Sequence, residues 1–203
     1  MSFDAKQLVS ESAGVFLANW QVGLAAGLLQ LVPAVGGVAV VNWQEAVKRN
    51  AAQGEPVELA TVLDLDNAFE KAQGSFALLV GAVICAAVAR LLGTLGIFIS
   101  IGGLVGVLLL AGLFAFSYAV MADKPGITFL RALRGTAAFA RRTPVPLFQL
   151  TVLGGAIVLA GAIPLGLGLP VSLPIASGVF FLAYRRLRPE VEAAAAAAGV
   201  ELQ

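Results

Sequence analysis

The sequence predicts an all-α protein, a polytopic membrane helical bundle of six spans in three hairpins with interfacial amphipathic helices, and three observations predict it. First, 59% of the 203 residues are hydrophobic and only 12% are charged, whereas ordinary soluble domains carry about 25% charged residues. Second, four stretches hold no charge at all, residues 12–44, 72–89, 91–122 and 143–184, and a spanning helix needs about 20 predominantly apolar residues. Third, clusters rich in glycine and proline interrupt those stretches at 33–37 (PAVGG), 93–103 (GTLGIFISIGG) and 163–174 (IPLGLGLPVSLP). Such clusters mark turns or helix breaks.

The chain then divides in order as a single membrane domain. Residues 1–53 supply an interfacial helix and the first hairpin, 54–124 a second such unit, 125–188 a third with an arginine-rich interfacial helix, and 189–203 an alanine-rich cytoplasmic tail. The opening MSFDAKQLVSESAG lacks the cationic start of a signal peptide, and the apolar run behind it is too long for one. It reads as a helix lying beside the membrane. In the first hairpin the turn falls at Pro33, and only 34–41 is continuously apolar beyond it, about 12 Å of helix. The competing reading is one span from Trp20 to Trp43, about 34 Å long with a tryptophan at each interface. That gives five spans and an external N-terminus.

The link at 50–56 is polar and carries Gly54 and Pro56, so it is a turn. Behind it Leu65, Ala68, Phe69 and Ala72 follow helical spacing and lead into the second hairpin. In 127–142 (ITFLRALRGTAAFARR), Phe129, Leu130, Leu133, Ala137 and Ala140 fall on one arc of a helical wheel. Arg131, Arg134, Arg141 and Arg142 share another. A helix divided in this way lies in the headgroup plane with its arginines toward anionic lipid, either as a plain anchor or as a lipid or partner contact. The tail after Pro189 reads as a short, solvated helix with acidic residues at its positive end and Gly199 as its cap.

Each hairpin ends in an aromatic followed by charge: Trp43 before Lys48 and Arg49, Tyr118 before Asp123 and Lys124, Tyr184 before Arg185, Arg186 and Arg188. Aromatic-then-basic marks the exit of a span on the cytoplasmic side. With six spans and a cytoplasmic N-terminus, 12 of the 13 basic residues and all 12 acidic ones fall inside. The expected location is the bacterial cytoplasmic (inner) membrane.

Function is bounded mostly by exclusion. A net charge of +1 gives no case for nucleic acid. Without histidine, and with Cys85 as the only cysteine, metal and nucleophile chemistry lose their usual ligands and bases. No enzyme, metal or cofactor is expected. Arg90 is the one charge inside a spanning stretch, either an anion or lipid contact or a side chain that snorkels to the outer interface. Gly23 with Gly27, and Gly102 with Gly106, form GxxxG pairs that suit close helix packing. Pro33, Pro164, Pro170 and Pro174 are expected to break helices, as turns or as a broken-helix ion site that lacks an acidic residue to complete it.

Residues 19–76 carry the series Asn19-Trp20, Gly27-Leu28-Leu29, Val32-Pro33, Trp43, Lys48-Arg49, Gly54, Pro56 and Phe69. This series resembles an uncharacterised bacterial and archaeal family of small integral membrane proteins. The C-terminal third, with its proline-rich break and the exit Ala183-Tyr184-Arg185, is similar to related membrane families, including the membrane domain attached to some glycerophosphodiester phosphodiesterases. The chain departs from the family pattern at Asn42-Trp43, where Gly-Tyr is usual. The resemblance implies a cytoplasmic N-terminus and a hairpin at Pro33, and it brings no catalytic residues. The expected function is a non-catalytic scaffold or accessory subunit touching membrane lipids, anionic headgroups at the cytoplasmic face, and a membrane-protein partner or a second copy of itself. The other reading is a carrier or pore for a small neutral or lipid-like solute.

Overall fold

Local sequence signals set the helix ends. Asp4 caps α1 (Ala5–Ala18) by accepting the Gln7 amide at 3.0 Å, the usual way to satisfy a free N-terminal N–H. Asn19 then turns the chain through 107° into α2 (Trp20–Gln30). Its side-chain amide donates to the Val15 carbonyl at 3.0 Å, while its oxygen accepts the Val57 amide at 2.9 Å. One asparagine therefore both makes the corner and ties down the link that follows α3 (Gly36–Gln53). Gly54, at φ +68°, ends α3 in the left-handed conformation that glycine adopts without a Cβ penalty.

The chain continues through a single turn, α4 (Leu59–Val62), into α5 (Ala68–Leu91), α6 (Gly93–Asp123), α7 (Phe129–Arg142), α8 (Pro144–Ala162) and α9 (Leu169–Ala197). This computed structural model describes residues 4–32, 35–54, 56–91, 93–163 and 166–202, with the side chains of 85, 88, 89, 91, 93–105, 107 and 108 left out. All-α is the fold class, with no strand among the described residues. The three helix pairs α2–α3, α5–α6 and α8–α9 each pack on one another, and α9 also packs on α1, α2, α3, α6 and α7. By length and apolar composition, one helix among the described residues suffices to cross a membrane, Pro144–Ala162, or two if the bent pair α1–α2 is one span. Leu109–Asp123 is a shorter apolar stretch.

Four expectations change. The glycine-rich cluster 93–103 lies within helix α6 rather than forming a break. It contains no proline, and an internal glycine costs only about 1 kcal/mol where proline costs about 3. The cluster at 163–174 divides: Pro170 falls in the first turn of α9 and Pro174 lies inside it, while Pro33 and Pro164 lie outside the described residues. The C-terminal segment is no separate solvated helix, since α9 runs through Pro189 and buries Val191, Ala194 and Ala195. Finally, the aromatics that precede the charged exits lie inside the protein rather than on its surface. Trp43, Tyr118 and Tyr184 are 0%, 3% and 0% exposed, because each polar tip finds a protein partner.

Those aromatics organise the core. Phe116 of α6 stacks on Phe139 of α7 at 5.9 Å and meets Tyr184 of α9 edge-on at 5.7 Å. Phe129 contacts Phe114 at 5.3 Å and Tyr118 at 5.4 Å. Such ring pairs add to what area burial alone contributes. Outside this core, Leu79, Val80, Val83 and Ile84 of α5, and Phe148, Val152 and Leu159 of α8, are exposed.

Candidate functional site: a charged cap and an arginine face

Inside the bundle, helix α9 receives polar side chains from two others. The hydroxyl of Ser12 donates to the Ile175 carbonyl at 2.8 Å, the Trp43 indole to Pro174 at 2.8 Å, and the Gln44 amide to Ser177 at 3.0 Å. Proline at 174 has no N–H, so the Pro170 carbonyl loses its helical partner. Gly27 of α2 lies directly against that carbonyl, where a Cβ would overlap the oxygen. Gly23 likewise has no room, a Cβ there lying 2.6 Å from the Phe16 ring. Both glycines of this pair thus face the chain's own interior. Gly106 differs, with open space where a Cβ would stand, and the surroundings of Gly102 lie outside the described residues.

At one end of the bundle the three exit sequences converge on Asp123. Its carboxylate, 6% exposed, pairs with Lys48 of α3 at 3.1 Å and Arg188 of α9 at 3.2 Å. Tyr184 donates its hydroxyl to the same carboxylate at 3.3 Å, and Lys48 also donates to the Asp123 carbonyl at 2.7 Å. Glu192 extends the cluster, binding Lys124 at 2.7 Å and Arg188 at 3.0 Å. Hydrogen bonds from Lys124 and Arg188 hold the Glu192 carboxyl below its usual range, against a smaller opposing effect of burial. Farther along, Arg186 makes a two-oxygen pair with Glu11 of α1, at 2.9 and 3.1 Å.

A second polar contact joins the first two hairpins. The Lys71 ammonium, on a 7% exposed residue, donates to the Asn42 oxygen at 2.7 Å. The Asn42 amide donates in turn to the carbonyls of Val62 at 3.1 Å and Asp64 at 2.6 Å. A glycine at position 42 has no side chain to make these bonds. Asn42 and Trp43 are thus two adjacent residues whose side chains bind neighbouring backbone.

Helix α7 presents three faces rather than two. Phe129, Ala132, Gly135, Thr136 and Phe139 are buried against the protein, so part of the expected lipid-facing arc belongs to the core. Leu130, 56% exposed, and the half-buried Leu133, Ala137 and Ala140 form an apolar strip beside it, of which Leu133 and Ala140 also pack against the core. Arg131, Arg134, Arg141 and Arg142 occupy the third face, exposed and without ion pairs among the described residues. Arg90 stands apart from them in the last turn of α5, also exposed and also without an ion pair among the described residues. Beside the start of α7, a groove of about 490 Å³ is lined by Thr128, Leu130, Arg131, Arg134, Val200 and Glu201.

The residues missed in the sequence are Ser12, Asn42, Gln44, Lys71 and Asp123. Polar side chains inside a long uncharged run were the available signal for Asn42 and Gln44, whereas the partners of Lys71 and Asp123 come from distant segments. Among the described residues no group of three His, Cys, Asp or Glu side chains is placed to hold a metal ion. No protein-family model, curated protein or solved structure matches the chain.

Proposed function

We propose that this chain is an integral protein of the bacterial cytoplasmic membrane, six spans in three hairpins, acting as a non-catalytic scaffold or accessory subunit that holds lipids and a partner membrane protein. The observation that carries the reading is the division of α7: arginines without ion pairs among the described residues border an apolar strip that is exposed at Leu130, while the third face is built into the core. A helix locked to the protein cannot turn its arginines away. They stay at the border between apolar and polar surroundings, where each cation near an anionic surface contributes about 1 kcal/mol.

The charged cap supports the same arrangement. Ion pairs join α1, α3, α6 and α9 through Lys48, Lys124, Arg186 and Arg188, cations that a membrane protein carries on its cytoplasmic side. The six spans pair as α2–α3, α5–α6 and α8–α9, with α1, the start of α5 and α7 along the interface. In the first pair α2 has 11 residues, about 17 Å of helix, so this pair is short and tilted or re-entrant.

Extraction in a mild detergent followed by native mass spectrometry tests this function. The expected spectrum shows the chain with bound lipid and a second protein component. Lipid-free, partner-free chains at native abundance, together with no phenotype on deletion, would overturn it.

A further inference from the structure

The arginine face is not uniform, and one end of it forms a site with both signs of charge. Arg131 and Arg134, three residues apart on α7, line the same groove as Glu201, which follows the turn after α9. Glu201 is exposed and forms no ion pair with either arginine or with any other described residue. The backbone that carries this carboxylate is held on both sides. Val200 donates back to the Ala195 carbonyl at 2.9 Å around Gly199, whose φ is +70°, and Leu202, 5% exposed, packs over Gly135 of α7.

The adjoining groove, about 410 Å³, shares Glu201 and is otherwise lined by Lys124 and Glu192, but it holds no unpaired cation. Its lysine is already bound to Glu192 at 2.7 Å. In the first groove the Thr128 hydroxyl accepts only a long bond, 3.4 Å, from the Arg131 amide and keeps its own proton for another acceptor. Two guanidinium groups and a hydroxyl suit a phosphate, which planar N–H donors grip through two oxygens. The free carboxylate suits a primary ammonium. Leu130, on the groove wall and 56% exposed, gives the groove an apolar side. The volume lies within the roughly 300–1,000 Å³ common for small-ligand sites.

We propose that this groove binds the headgroup of phosphatidylethanolamine, with the phosphate on Arg131, Arg134 and Thr128, the ammonium on Glu201, and the acyl chains leaving past Leu130. This rests on the membrane reading above. It replaces a general attraction to anionic lipid with a zwitterion at one end of the arginine strip, leaving Arg141 and Arg142 for diffuse contact.

The test first checks that the full chain stays in the membrane fraction after carbonate washing, so that failure of the membrane reading is seen separately. The detergent-purified protein is then titrated in native mass spectrometry with phosphatidylethanolamine, phosphatidylcholine and phosphatidylglycerol of identical acyl chains. The wild type is expected to retain phosphatidylethanolamine about fivefold better than the other two. Glu201→Gln should abolish that preference and strengthen phosphatidylglycerol. The double variant R131Q/R134Q should weaken all three about tenfold, and R141Q/R142Q, outside the groove, should leave the preference intact. Equal retention of all lipids by the wild type, an unchanged preference in Glu201→Gln, or loss of the preference in R141Q/R142Q would overturn the proposal. A thermal melt of each variant identifies any that is unfolded, and for such a variant Glu201→Asp, which keeps the charge, is expected to retain the preference or else the proposal falls.

Discussion

Gly27 and Gly106 look alike in the sequence, each the second member of a GxxxG pair, yet they sit in opposite surroundings. Gly27 touches the Pro170 carbonyl that Pro174 deprives of its helical donor, and Gly106 faces open space. Gly27→Ala must push α2 away from α9 and is expected to destabilise the protein by about 3 kcal/mol, the upper end for overpacking. Gly106→Ala should be neutral or stabilise by up to about 1 kcal/mol, because glycine is a poor helix residue. Unfolding in mixed detergent micelles measures both, and equal effects would mean that the α2–α9 approach is not what the glycine serves. Spacing revealed both pairs but not which would be occupied. The difference depends on a proline more than 140 positions away.

At the scale of elements, the order of the helices was largely legible, because proline, glycine and charge punctuate a chain that is otherwise apolar. The boundary after residue 30, the polar link near Gly54 and the helix over 129–142 follow from that punctuation. Where glycine occurred without proline, as in 93–103, the punctuation misled. The wheel of α7 separated its arginines from its apolar residues but could not divide the apolar ones between core and exterior, since both environments select the same side chains. The tail shows a similar limit: alanines and prolines reveal helix tendency, while the contact of Leu202 with Gly135 depends on α7. The α6–α9 contact at the charged cap has a measurable acid dependence. Glu192 is held below its usual pKa by Lys124 and Arg188, so its contribution is full above the ordinary carboxylate range and disappears as pH falls through the lowered value. Thermal stability should therefore decline on acidification below about pH 4.5, starting from the ordinary value of 4.5 for this group. Glu192→Gln should lower the neutral plateau and flatten that decline, and an unchanged acid limb would assign the loss to other carboxylates.

For the whole molecule, six spans and five differ in where the N-terminus lies. A reporter fused ahead of Met1 should be read on the cytoplasmic side, and a periplasmic signal would end the three-hairpin arrangement. The fold adds a reason for expecting the first result. Arg186 of α9 binds Glu11 of α1, and Arg188 of α9 binds Asp123 of α6, so the start of the chain shares a surface with two of the charged exits. Sequence reading found this convergence only as a recurring order of aromatic and charge. It could not show that the three exits meet at one carboxylate, because periodicity along a chain carries no distance across it.

The dependence of so many groups on α9 also has a meaning in time. This helix is synthesised after α1 to α8, yet Ser12, Trp43 and Gln44 direct their donors to its carbonyls, and Asp123 takes Arg188 and Tyr184 from it. Until it arrives, the earlier helices hold a hydroxyl, an indole and an amide without these acceptors, and a carboxylate with Lys48 as the one of its three side-chain partners already made. Helix α9 is a keystone, and a chain that lacks it carries in its open polar groups a record of the missing helix.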